Sequence, residues 1–165
     1  MTSLQQSTAP SQDLDQYLSF DLGSDLGDYN LLLPTLQLIE VLTLPYAQIT
    51  PIPDSPGFVM GVCNWRGEVV WLIDLASKLG FAPLHRQGYS QMTCPVILLQ
   101  INNMILALAV KKIGQMLRLD RSRISALPAT LVSSQLAGFL MGYWLAEQGK
   151  TYLLLDSQRL VASYG

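Results

Sequence analysis

An internal duplication limits this chain to folds that can be built twice. Leu38-x-x-Val41-Leu42-x-Leu44-x-x-x-x-Ile49-x-x-x-Pro53 is echoed by Ile113-x-x-Met116-Leu117-x-Leu119-x-x-x-x-Ile124-x-x-x-Pro128, a constant offset of 75 (124 − 49). Gly57-Phe58-Val59-Met60-Gly61 then returns as Gly138-Phe139-Leu140-Met141-Gly142, and Leu72-Ile73-Asp74 as Leu154-Leu155-Asp156, so that Asn30 to Asp74 recurs from Ile105 to Asp156. The period is domain-scale, too long for a solenoid. A unit of roughly 60 residues buries only about 60% of its unfolded surface and is marginal alone, so the halves must support each other. Features the halves do not share report on function. The first copy carries Asn64-Trp65-Arg66-Gly67 at its central turn where the second has Ala146-Glu147-Gln148-Gly149, so the fold does not require the arginine.

The segments between turn signals are short and strand-like. Tyr17 to Leu22 alternates with a period of two, Gly23 to Asp28 reads as a turn, and Tyr29 to Leu33 as its hairpin partner. Gln37 to Leu44 reads as a strand ending at Pro45. Ile49 to Pro56 holds Pro51, Pro53 and Pro56, which lack an amide donor, and predicts an extended connection or edge. Phe58–Cys63 and Glu68–Ile73 predict a hairpin with a four-residue tip at 64–67. Asp74 to Leu79 predicts a short helix capped by Asp74 and stopped at Gly80, and Ser157 to Tyr164 another. Cys94–Gln100 and Met104–Val110 flank Asn102-Asn103, residues that tolerate the positive φ of a tight turn. The expectation is an all-β protein of two small barrels, the first about 17–84 and the second about 94–160, with strands partly exchanged, a linker from His85 to Thr93, and a disordered tail over 1–16.

Composition excludes several functions. Net charge is −2 and the ten Lys and Arg residues form no dense block, which removes the electrostatic footprint of a nucleic-acid binder. Met1 to Gln16 has neither the basic nor the apolar region of a signal peptide, and the uncharged stretches Gln87–Val110 and Ala129–Ala146 are too interrupted by polar residues and turns to span a bilayer. Cys63 and Cys94 lie 31 positions apart (94 − 63) and His85 is the one histidine, so metal-ligand spacing is missing; buried thiols in a reduced, cytosolic protein are expected. No cofactor motif is present. Asp74 and Asp156 stand at equivalent places and suit helix caps better than acid/base catalysis. Half the residues are hydrophobic and 13% are charged, which leaves exposed apolar surface for a partner. Trp65 and Arg66 at the turn are the residue types that anchor protein interfaces.

Leu38-Ile39-Glu40-Val41, Ile49-Thr50-Pro51-Ile52-Pro53, Gly61-Val62-Cys63-Asn64-Trp65-Arg66-Gly67 and Leu72-Ile73-Asp74-Leu75, in this order, resemble the chemotaxis coupling proteins of the CheW type. The resemblance covers Tyr17 to about Leu160. It implies two interlocked five-stranded SH3-like barrels, no enzymatic activity, and an adaptor that bridges the cytoplasmic tip of a chemoreceptor to the regulatory domain of a CheA-type histidine kinase. By motif, Leu38, Glu40, Gly61, Asn64 and Arg66 fall on the family's coupling residues; Trp65 and Gly67 complete the candidate partner-binding set. Trp65 replaces the usual leucine and Trp71 a common proline, which resembles the branch serving phototaxis or type IV pilus twitching. Two other readings compete: a peptide-binding or structural module of a pilus or motility complex, and a small β-barrel enzyme or ligand-binding protein using Asp74, Asp156 and His85.

Overall fold

The computed structural model describes residues 14–23, 27, 29–86 and 92–162 of the chain. Its strands are β1 (Leu14–Asp21), β2 (Tyr29–Pro34), β3 (Leu38–Pro45), β4 (Val59–Trp65), β5 (Glu68–Asp74), β6 (Thr93–Ile101), β7 (Met104–Ala109), β8 (Lys112–Asp120), β9 (Leu140–Leu145) and β10 (Thr151–Leu155). Three short helices accompany them: α1 (Leu75–Lys78), α2 (Ser134–Ala137) and α3 (Ser157–Ala162). The fold is mostly β, in two five-stranded sheets with the orders β8-β1-β2-β10-β9 and β3-β6-β7-β5-β4.

These orders show which strands are exchanged between the two expected units. Strands β3 to β7, residues 38–109, make up one whole sheet, whereas the other joins β1 and β2 to β8, β9 and β10. A cut between 84 and 94 would take β6 and β7 from the first sheet and β1 and β2 from the second. One barrel is therefore inserted into the chain of the other, and they are called here the inserted and the split barrel. Each is a hairpin (β6–β7 or β1–β2) set into a three-strand unit (β3–β5 or β8–β10), joined by one antiparallel pairing, β3 with β6 and β1 with β8, and one parallel pairing, β5 with β7 and β2 with β10.

Each sheet closes on itself by the same device. After β3 a 3-10 turn at Tyr46–Gln48 redirects the chain, and Thr50 exchanges both backbone hydrogen bonds with Val62 of β4, at 2.8 and 2.9 Å. After β8 a 3-10 turn at Arg121–Arg123 does likewise, and Ser125 pairs with Tyr143 of β9. Such closure removes the exposed edge of a sheet. Both seams demand a glycine: a Cβ on Gly61 would lie 2.2 Å from the Thr50 carbonyl oxygen, and one on Gly142 would lie 2.5 Å from that of Ser125. Both barrels also bulge just before that glycine, because Met60 and Met141 have no cross-strand partner.

The core explains why the halves need each other. β2 and β10 bury consecutive residues, Leu31-Leu32-Leu33 and Tyr152 to Leu155, and β6 does the same with Val96 to Leu99. A strand buried on both faces reads as a continuous apolar run and needs cover on both sides. Tyr17, Leu32, Leu119, Tyr152 and Leu154 form one cluster, whereas Leu31, Leu33, Leu153 and Leu155 join a larger cluster with β5, β6 and β7. One face of these strands fills a barrel and the other meets its neighbour. Cys63 and Cys94 are buried free thiols, and burial pushes the Cys94 thiol up to about 11.

Other expectations shift by a few residues. β1 begins at Leu14, three residues before Tyr17, because Leu14 to Gln16 pair with β8; the rest of the tail expected over 1–16 lies outside the described residues. The turn expected at Gly23–Asp28 and the linker at His85–Thr93 are described only in part, and α3 ends at Ala162, before the undescribed residues 163–165. Between Ala129 and Ala146, the stretch expected to be too interrupted to span a bilayer, α2 precedes β9, capped by Ser133 accepting from the Leu136 amide. Among the described residues no helix is long and apolar enough to cross a membrane.

Candidate functional site

The hairpin between β4 and β5 has a tighter tip than its sequence suggests. Trp65 is the last residue of β4 and pairs with Glu68, which leaves Arg66 and Gly67 as a two-residue loop. Both have positive φ, 50° and 83°, the geometry of a type I′ turn, whose twist matches the flanking strands. Asn64 holds the turn from below, its Oδ1 accepting from the Gly67 amide at 3.0 Å. Asn64 and Gly67 therefore have structural work, as does Gly61 at the seam.

Trp65 does not stand on a coreless tip. It shares the inward parity of β4 with Cys63 and packs partly buried against the core. Its indole Nε1 donates to Glu40 Oε2 at 3.0 Å. Glu40 lies on β3 and Trp65 on β4, the two end strands of the sheet, so this bond links the ends that closure brings together. Leu38, two residues before Glu40, is half-buried against the same core.

Arg66 is left outward. Its side chain is 73% exposed, reaches Glu40 Oε2 only at 3.5 Å, and stacks over Trp65 with the guanidinium carbon 4.9 Å from the ring centroid. A pair this exposed adds little to stability. The arrangement instead orients the guanidinium: the ring supports it from one side, and Glu40, already occupied by the indole, tethers it loosely.

Beside the tip lies an apolar strip that the sequence reading did not assign to a site. Val62 pairs with Trp71, and Asn64 with Val69, on the outward parity of β4 and β5. Val69 is 72% exposed and Trp71 46%. The signal was present in Val69-Val70-Trp71-Leu72, which is apolar at both parities in a strand that a small barrel buries on one side only.

Of the alternative catalytic residues, Asp74 and His85 line one pocket beside Tyr46 and Met60, whereas Asp156 lies apart at the start of α3. Asp74 is buried and caps α1, its two oxygens accepting from the amides of Ser77 at 3.0 Å and Leu84 at 2.8 Å. Burial raises its carboxyl above the usual range against the pull of those amides and of His85. Asp156 accepts from the Gln158 amide at 3.0 Å and pairs with Arg159 at 3.2 Å at the start of α3. His85 is exposed in a 3-10 turn, Leu84–Arg86. The repeated aspartates thus do the same local work in each barrel, where the Asp74 and Asp156 amides also donate to the carbonyls of the equivalent Phe58 and Phe139 at 2.8 Å.

The model of the CheW-like domain family matches residues 16–164. This chain belongs to the CheW-like family. Chemotaxis protein CheW of Klebsiella aerogenes is 30% identical over 154 residues, covering 90% of this chain and 82% of that protein. Chemotaxis protein CheW of Helicobacter pylori is 27% identical over 120 residues, or 73% and 68% of the two chains. The solved scaffolding protein TtCheW of Thermoanaerobacter tengcongensis superposes with a TM-score of 0.72 at 21% identity, covering 87% of this chain and 89% of that one, a likeness of fold.

Proposed function

We propose that this chain is a cytoplasmic, non-catalytic adaptor that couples the tip of a chemoreceptor to the regulatory domain of a CheA-type histidine kinase, in chemotaxis, phototaxis or twitching motility. It takes no cofactor. Family membership supports the coupling role, and one observation supports the site: Arg66 is held outward in a left-handed turn that the fold does not require of an arginine. Leu38, Glu40, Gly61, Asn64, Trp65 and Gly67 serve the interface by building and closing the hairpin that presents it. The exposed Val69 and Trp71 supply apolar area beside the guanidinium, the combination that concentrates binding energy at interfaces. An adaptor without chemistry acts by binding one signalling conformation of its partners better than another.

The test is co-sedimentation of the protein with receptor-containing membranes and the kinase, wild type beside Arg66→Glu, reading kinase recruitment and autophosphorylation. Recruitment that needs the protein and fails with Arg66→Glu, while the variant keeps its melting temperature, supports the reading. Wild-type protein that joins neither partner overturns it in favour of a peptide-binding module.

A further inference from the structure

Lys78 is a buried cation placed between the two barrels. It lies in α1 of the inserted barrel and is 8% exposed. Its Nζ is 4.0 Å from the ring centroid of Phe58 and 5.8 Å from that of Phe139, both within cation–π range. The two rings are repeat equivalents (139 − 58 = 81), one leading into β4 of the inserted barrel and the other into β9 of the split barrel.

The duplication supplies its own control. The residue equivalent to Lys78 in the second copy is Leu160 (78 + 82), buried at 1% in α3. An apolar side chain therefore serves the fold at this position, whereas burying an ammonium carries a desolvation cost. The second copy also departs from the first just before Phe139. Its offset grows from 75 at Pro53/Pro128 to 81 at Gly57/Gly138, six additional residues (81 − 75) that include part of the α2 region. α2 meets the end of α1, where a Cβ on Gly80 would lie 2.7 Å from the Gln135 side chain. The insertion of the second copy and the cation of the first converge on one contact between barrels.

We infer that Lys78 is a positioning residue that fixes the barrels relative to each other by holding Phe58 and Phe139 on one ammonium, and so sets the geometry in which the adaptor presents its partners. The first part stands on the structure alone; the second rests on the adaptor reading.

The experiment is a double-mutant cycle in urea with Lys78→Met, Phe139→Leu and the double variant, followed by partner assays on Lys78→Met and Lys78→Arg. The latch is expected to make the double variant's folding constant differ at least about fivefold from the product of the single effects. Lys78→Met is expected to bind each partner alone within about twofold of wild type, yet to lose about fivefold or more of kinase activation in the ternary mixture. Lys78→Arg, which keeps a cation over the rings, should restore most of that loss. An additive cycle overturns the latch. A coupled cycle with unchanged ternary activation overturns the positioning role. Wild-type protein that binds no partner defeats the adaptor reading while the cycle still decides the latch.

Discussion

Arg66 stands in a backbone conformation that costs a side-chain-bearing residue roughly 1 kcal/mol or more, at a turn where asparagine or glycine is preferred. Asn102 and Asn103 show the unstrained solution in the β6–β7 hairpin, with φ of 50° and 66°. Strain retained at an exposed position points to function. Arg66→Gly is therefore expected to leave stability equal or raise it by up to about 1 kcal/mol while abolishing kinase recruitment. Urea unfolding beside co-sedimentation checks both, and a large loss of stability would return Arg66 to the fold. Asp74 is the opposite case, a carboxylate with two backbone donors and no exposure to a partner. Asp74→Asn turns an N–H donor toward one of the two amides and is expected to cost about 1–3 kcal/mol. Burial raises the Asp74 carboxyl in the folded state, so the folded chain binds its proton more tightly than the unfolded chain. Its contribution is thus fully present below the ordinary carboxylate range and is lost as pH rises through the raised folded value. The stability gap between wild type and Asp74→Asn should accordingly narrow with rising pH across that window, measured by urea unfolding at stepped pH. A gap that widened would mean the charged form is the one the site favours.

At the scale of elements, the seams explain which parts of the motif belong to the fold. Gly61 and Gly142 admit the Thr50 and Ser125 carbonyls at distances no Cβ tolerates, and Gly61 has in addition a φ of 145°. Gly61→Ala is expected to cost on the order of 3 kcal/mol or more, and Gly142→Ala less, because only the first adds a left-handed backbone to the clash. Thermal melts of the two variants side by side test the order; a mild Gly61→Ala would show that the seam can open without loss. Gly61 recurs in the sequence as Gly142, and recurrence marks a fold requirement, so this role was legible without coordinates. The outward strip Val62, Val69 and Trp71 was only partly legible, because apolar residues at both parities read equally well as a strand buried on two sides. The parity of Trp65 could have been read from Cys63, two residues earlier in the same strand. Its bond to Glu40 could not, since that contact depends on two strands becoming neighbours only when the sheet closes.

For the whole molecule, the duplication revealed two similar units but not how the chain is divided between them. Short-range signals mark strands and turns, whereas the choice that sends β1–β2 to β8–β10 is made by long-range pairing, such as β1 to β8 across about a hundred residues. Insertion of one barrel into the other has a thermodynamic consequence. The inserted barrel is continuous over 38–109, yet β6 buries Val96 to Leu99 without a gap, so one of its faces has cover only while the neighbouring barrel is folded. The split barrel in turn has its two segments held together through the inserted one. Neither has an independent stable state to fall back on, and the two barrels should melt in one transition. Scanning calorimetry is expected to give a calorimetric enthalpy on the order of 100 kcal/mol near 60 °C, equal to the van't Hoff enthalpy. Two transitions of about half that size would mean that each barrel is stable alone, and would leave Lys78 to join two finished domains instead of two parts of one.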